Sequence, residues 1–201
     1  VVVMRRSIRL CRWSAWRAAV APGLMGGEQA TISREPCLML SPCALYLVRH
    51  GIAADPSSAY PDDAARPLTD EGTERLRVQF KALRRLDVEI EHVLTSPLVR
   101  AVQTAALLKE ACRNDPAVSV IDALRPGGGF DGLMAELARL PSVTGVALVG
   151  HEPSIGMVAA RLMGARDAIP FKKGAVCRID VATLPPAEPG QLQWFLPPRV
   201  L

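Results

Sequence analysis

The sequence predicts an α/β domain: a three-layer α/β/α sandwich around a mostly parallel central sheet. From residue 43 onward, short β-branched runs alternate with helical patterns, the order that builds a parallel sheet with crossover helices. Several of the runs are apolar at every position, as strands buried on both faces are. Capping or turn residues mark nearly every change of period. With 201 residues, 49% of them hydrophobic and 22% charged, the chain is long enough for one sizeable core and short for two.

Ala44-Leu45-Tyr46-Leu47-Val48 reads as the first strand and ends at Arg49-His50-Gly51. A loop rich in Pro, Ser and Asp follows over residues 54–67. Thr69-Asp70-Glu71 then places an N-cap and two acids at the start of a helix whose Leu76, Phe80, Leu83 and Leu86 share one face. His92–Thr95 is a second strand, and Ser96-Pro97 suits the N-cap and first turn of a helix carrying Arg100. Val118–Ile121 is a third strand, Phe130–Leu140 a helix, and Gly145–Val149 a fourth strand ending at Gly150-His151. Pro153-Ser154 leads into Ile155, Val158, Ala159 and Leu162 at helical spacing. Ala175–Ala182 and Gln191–Leu196 complete the pattern as late strands of antiparallel character. The domain is expected to span residues 43–198.

The net charge of +4 is a property of the first 38 residues. Arg5, Arg6, Arg9, Arg12, Arg17 and Arg34 stand there against Glu28 and Glu35, so the remainder is neutral. A nucleic-acid partner would require a basic face on the folded part, and none is expected. Residues 1–38 are expected to be a disordered or non-native extension, because arginines interrupt every apolar run that a secretory signal would need. No stretch is long and apolar enough to span a membrane, so no membrane partner is expected. Cys11, Cys37, Cys43, Cys112 and Cys177 show no metal-ligand spacing. They are expected to be reduced thiols, which suits a cytoplasmic protein.

Chemistry collects at the carboxyl ends of the predicted strands, where open α/β sheets bind ligands. His50 follows the first strand, Arg100 the second and His151 the fourth, with Arg49 beside them. Two imidazoles and two guanidiniums without carboxylate companions suit a multiply charged anion, above all phosphate. They make a poor metal site, and no metal or other cofactor is expected.

Leu47-Val48-Arg49-His50-Gly51, then Thr95-Ser96-Pro97-Leu98-Val99-Arg100-Ala101-Val102-Gln103-Thr104-Ala105, then Leu148-Val149-Gly150-His151-Glu152-Pro153 resemble the three signatures of the histidine phosphatase superfamily, the phosphoglycerate-mutase-like proteins with an Arg-His-Gly motif. Arg66-Pro67-Leu68-Thr69-Asp70-Glu71-Gly72 resembles the small SixA-type phosphohistidine phosphatases within it. The resemblance runs over about residues 43–182. It implies a phosphoglycerate-mutase-like fold, with His50 as nucleophile forming a phosphohistidine intermediate. Arg49, Arg100 and His151 would bind the phosphoryl oxygens. His50 must be neutral at one nitrogen to attack, and a backbone carbonyl accepting from the other N–H would fix its tautomer. Gly51 would let the backbone approach the phosphate closely.

Larger relatives carry a glutamic acid between the second and third signatures to protonate the leaving oxygen. Here residues 122–131 hold no Glu, and only Asp122 and Asp131 as acids, weak candidates for the role. The lack handicaps alkyl phosphate esters more than a P–N bond. The short loops predict a shallow, open pocket suited to a phosphorylated protein side chain. The expected activity is therefore hydrolysis of phosphohistidine on a protein, by a monomer. The alternatives are a small-molecule phosphomonoesterase of the same superfamily acting on phosphate esters, and a phosphate-binding module without turnover. His92 and Arg66 are expected to be structural, and Ser57 and Ser58 are either phosphate donors or polar loop residues.

Overall fold

The computed structural model describes residues 42–198; the expectation for residues 1–38 lies outside the described residues. Six strands form one sheet: β1 (Cys43–Arg49), β2 (His92–Thr95), β3 (Ala117–Val120), β4 (Gly145–Gly150), β5 (Val176–Val181) and β6 (Gln191–Leu196). Their order is β3-β2-β4-β1-β5-β6. The pairs β3/β2, β2/β4 and β4/β1 are parallel, and β5 and β6 close the sheet antiparallel. Among the described residues, four α-helices accompany it: α1 (Asp70–Leu83), α2 (Val99–Ala111), α3 (Phe130–Ala138) and α4 (Ser154–Leu162).

Successive side chains of a strand point to opposite faces, and here that alternation sorts the core in two. Ala44, Tyr46 and Val48 of β1 meet Leu76, Phe80 and Leu83 of α1 and Ala101, Ala105 and Leu108 of α2. Cys43, Leu45 and Leu47 meet Leu133 and Leu137 of α3 and Ile155, Val158, Ala159 and Leu162 of α4. The result is the three-layer sandwich.

Thr69 caps α1, its hydroxyl accepting from the Gly72 N–H at 3.0 Å. Thr69→Ala is expected to lower stability by about 1 kcal/mol, read as a shifted urea midpoint at unchanged slope. Leu86 does not share the buried face. The α-helix stops at Leu83, a single 3-10 turn (Arg84–Leu86) follows, and the left-handed Asp87 (φ 48°) turns the chain away, leaving Leu86 at the surface. Ser96 is likewise not an N-cap. The helix begins at Val99, the preceding Leu98 makes no side-chain capping bond, and the Ser96 hydroxyl is engaged elsewhere. β3 is an exposed edge strand along its whole length, and α3 ends two residues earlier than its apolar pattern suggests.

Candidate active site

Because β1, β4 and β2 are adjacent and parallel, their carboxyl ends stand side by side. Arg49 lies opposite Gly150, and Thr95 opposite Val149, so the next residues, His50, His151 and Ser96, leave the sheet together. The two imidazole rings are 4.9 Å apart between centroids. Arg100 comes from the first turn of α2, directly after β2. The structure thus gathers Arg49, His50, Arg100 and His151 into one cluster.

The cluster is covered rather than shallow and open: His50, Arg100 and His151 are only 7%, 5% and 2% exposed. The loop after β1 provides part of the cover through the short 3-10 turn Asp63–Ala65. Arg100 donates from Nη1 to the Asp63 carbonyl (2.6 Å) and from Nη2 to the Asp63 carboxylate (2.8 Å). Arg66 binds the same carboxylate and donates to the Ala54 carbonyl at 2.7 Å. Hydrogen bonds from Arg100 and Arg66 hold the Asp63 carboxyl below the usual carboxylate range. Arg49 donates from Nη1 to the Phe171 carbonyl at 2.5 Å.

His50 Nδ1 lies 2.7 Å from the Gly51 carbonyl. A carbonyl only accepts, so Nδ1 carries the proton and Nε2 presents a free lone pair. Gly51 serves the cluster through that carbonyl. Its N–H donates to Thr104 Oγ1 (3.2 Å), and Thr104 donates in turn to the Arg100 carbonyl (2.7 Å). A Cβ at Gly51 would stand 2.6 Å from Leu76 Cδ1, so packing against α1 also favours glycine here.

Three buried nitrogens of the cluster have no hydrogen-bond partner among the described residues: Arg49 Nε, Arg100 Nε and His151 Nδ1. Buried donors in this condition are rare in native proteins and call for an explanation. His151 Nε2, by contrast, lies 2.8 Å from Ser96 Oγ.

Burial, opposed by the Gly51 hydrogen bond and reinforced by His151 and the two arginines, pushes His50 down to about 3. Burial and the arginines push His151 down to about 4. A depressed native pKa means that the unfolded chain binds more protons below pH 6.5, so the stability present above 6.5 is lost as pH falls. Each histidine that stays neutral is expected to cost about 1.4 kcal/mol per pH unit, down to about pH 4 for His151 and about pH 3 for His50. Urea midpoints between pH 7 and 4.5 check this: His50→Asn should flatten the decline.

Asp122 pairs with Arg125, and Asp131 lies against Arg161 at the surface. Neither hydrogen-bonds to the cluster. His92 opens β2, at the end of the strand away from Ser96. Ser57 and Ser58 are exposed in the loop. Asp63 and Ser96 are the members that sequence reasoning missed.

Fold and cluster together define an α/β/α sandwich with two imidazoles and two guanidiniums gathered at the carboxyl ends of its parallel strands. The profile of the histidine phosphatase superfamily (branch 1) matches residues 45–141. Phosphohistidine phosphatase SixA of Escherichia coli (strain K12) is 30% identical over 156 residues, which cover 77% of this chain and 93% of that one. An uncharacterised protein of Picosynechococcus sp. (strain ATCC 27264 / PCC 7002 / PR-6) is 40% identical over 114 residues, 56% of this chain and 68% of that one. The solved structure of the protein histidine phosphatase SixA complexed with tungstate superposes with a TM-score of 0.67 at 28% identity, covering 77% of this chain and 97% of that one. The chain belongs to the histidine phosphatase superfamily, and its similarity runs to SixA-type members.

Proposed function

We propose that this enzyme hydrolyses phosphohistidine on a protein through a covalent phospho-His50 intermediate, without a metal. The observation that carries the reading is the set of three unpartnered buried nitrogens, Arg49 Nε, Arg100 Nε and His151 Nδ1, beside an imidazole whose Nε2 is free. Three unpartnered nitrogens in the cluster that holds His50 suit an anion with three equatorial oxygens. Phosphoryl transfer has a loose transition state with charge on those oxygens, so positioning and electrostatic stabilisation do most of the work. The similarity to SixA supports the substrate class, and tungstate, the oxyanion held in a SixA structure, supports the site's charge type.

In the first step the His50 Nε2 lone pair forms a bond to phosphorus while the P–N bond to the substrate breaks; the substrate ring, protonated at its other nitrogen, takes that electron pair and leaves as neutral imidazole. In the second, water attacks the phosphorus of phospho-His50, the electron pair of the breaking P–N bond returns to Nε2, and phosphate departs with the water's oxygen and one of its protons, the other passing to solvent. His50 is neutral through the physiological range, so no deprotonation precedes attack. The carboxylate joined to the cluster, Asp63, is held ionised by two arginines and is a poor proton donor. That favours a leaving group that needs little acid assistance, as the imidazole of a P–N bond is, over an alkoxide.

The test is rapid-quench transfer of radiolabel from a phosphohistidine-bearing protein. Acid-labile, base-stable label is expected on His50 of this chain, followed by release of phosphate. Phosphate release without label on the chain would overturn the covalent route. Turnover of sugar phosphates, with phosphohistidine left intact, would overturn the substrate class.

A further inference from the structure

His151 Nδ1 can serve an anion only if it carries a proton, and a neutral imidazole has one N–H to place on either nitrogen. The choice is set by what faces the other nitrogen, Nε2. That neighbour is Ser96 Oγ at 2.8 Å, on a side chain with no exposure at all. Ser96 Oγ also receives the backbone N–H of Leu98 at 3.4 Å. A hydroxyl owns one proton, and both alternatives can be accounted for.

Suppose His151 carried its proton on Nε2 and donated it to Ser96. The hydroxyl would then face two donors, Leu98 N–H and His151 Nε2–H, and its own proton would be buried without an acceptor among its partners. His151 Nδ1 would be a buried lone pair without a donor, in a cluster whose two arginines each keep an unpartnered Nε–H. Both consequences are unfavourable. In the opposite arrangement Leu98 donates to Ser96, Ser96 donates to His151 Nε2, and Nδ1–H is, like the two guanidinium Nε–H groups, a donor left without a partner. Every polar atom of the relay is then matched, and the three free groups are all donors.

We propose that Ser96 is a positioning residue that donates to His151 Nε2 and thereby holds His151 as the Nδ1–H tautomer, completing an all-donor receptor for the phosphoryl group. The proposal deepens the phosphatase reading and rests on it for the identity of the anion. The Ser-Pro pair does not cap α2 because the helix begins at Val99, with Leu98 in the cap position, two residues beyond Ser96. Ser96 touches no reacting atom and acts through His151. The same logic makes the cluster consistent, because the Gly51 carbonyl already holds His50 as its Nδ1–H tautomer. One ring is thus left basic at Nε2 to attack, and the other acidic at Nδ1 to receive.

The chain has three histidines, so nitrogen-15 NMR of the full-length protein labelled at histidine resolves each ring, with His92→Gln and His50→Asn assigning the signals. In the wild type at pH 7 the expected result is His151 protonated at Nδ1 and bare at Nε2. Ser96→Ala should convert that signal to a tautomer mixture and weaken orthovanadate binding about tenfold, the worth of one hydrogen-bonding arrangement. Ser96→Thr should restore both. His151 found protonated at Nε2 in the wild type would overturn the proposal, and that measurement needs no variant to fold. A Ser96→Ala protein that folds, keeps a single Nδ1–H signal and binds orthovanadate as before would also overturn it. Failure of the phosphatase reading looks different: the tautomer and its dependence on Ser96 would stand as expected while phosphohistidine went unhydrolysed.

Discussion

His50→Asn should lower kcat/KM for a phosphohistidine protein by at least about 10⁴-fold while leaving the fold in place. Asparagine is close to histidine in size, and its amide can donate to the Gly51 carbonyl that now holds Nδ1 at 2.7 Å. What it lacks is the Nε2 lone pair. The loss should fall on kcat, because Arg49, Arg100 and His151, the proposed anion receptor, remain, and orthovanadate should still bind. Steady-state kinetics beside a urea titration separates chemistry from folding. A loss under tenfold in a protein of unchanged stability would remove His50 from the reaction altogether.

Arg100→Lys is expected to cost about 10²–10³-fold in kcat/KM, although charge is conserved. The guanidinium does three things at once: Nη1 meets the Asp63 carbonyl, Nη2 meets the Asp63 carboxylate, and Nε stays free beside the imidazoles. An ammonium is a point charge on a flexible stem and cannot span Asp63 while directing a separate N–H inward. Asp63 keeps its pair with Arg66 in the variant, so the covering loop is expected to hold its place. The loss should therefore appear as weaker orthovanadate binding together with a lower kcat. Activity within a few fold of the wild type would mean that positive charge alone, without direction, is enough at this position.

Most of this architecture is written in local pattern. The strand ends at Arg49-His50 and Gly150-His151 are visible because an apolar run stops abruptly at a charged or titratable residue. Parallel pairing of the strands that precede them is the ordinary outcome of alternating β and α segments. Thr69 could be read as a cap because its helix has a clean amphipathic face behind it. Ser96 was misread for a related reason: Ser before Pro is a cap signal, but the hydroxyl answers to His151, 55 residues away in sequence. Asp63 lay beyond reach in the same sense. Its spacing to Arg66 hints at a local ion pair, whereas its grip on Arg100 joins residues 37 apart through a loop with no periodicity. The expectation of an open pocket failed with it, since the cover depends on that tertiary contact. Local rules reported where the side chains start, and long-range partners decided which way they turn.

The strand order has a consequence for how the enzyme comes into being. β1 and β2 are not neighbours: β4 lies between them, and it is the strand that carries His151. A ribosome that has delivered everything up to residue 144 has made His50 and Arg100 but not the ribbon that brings them together. Insertion of β4 joins β1 to β2 in the parallel sheet and brings His151 beside His50 in the same event. Long-range pairings of this kind fold slowly, and before β4 is in place the two strand ends have no common edge on which to meet.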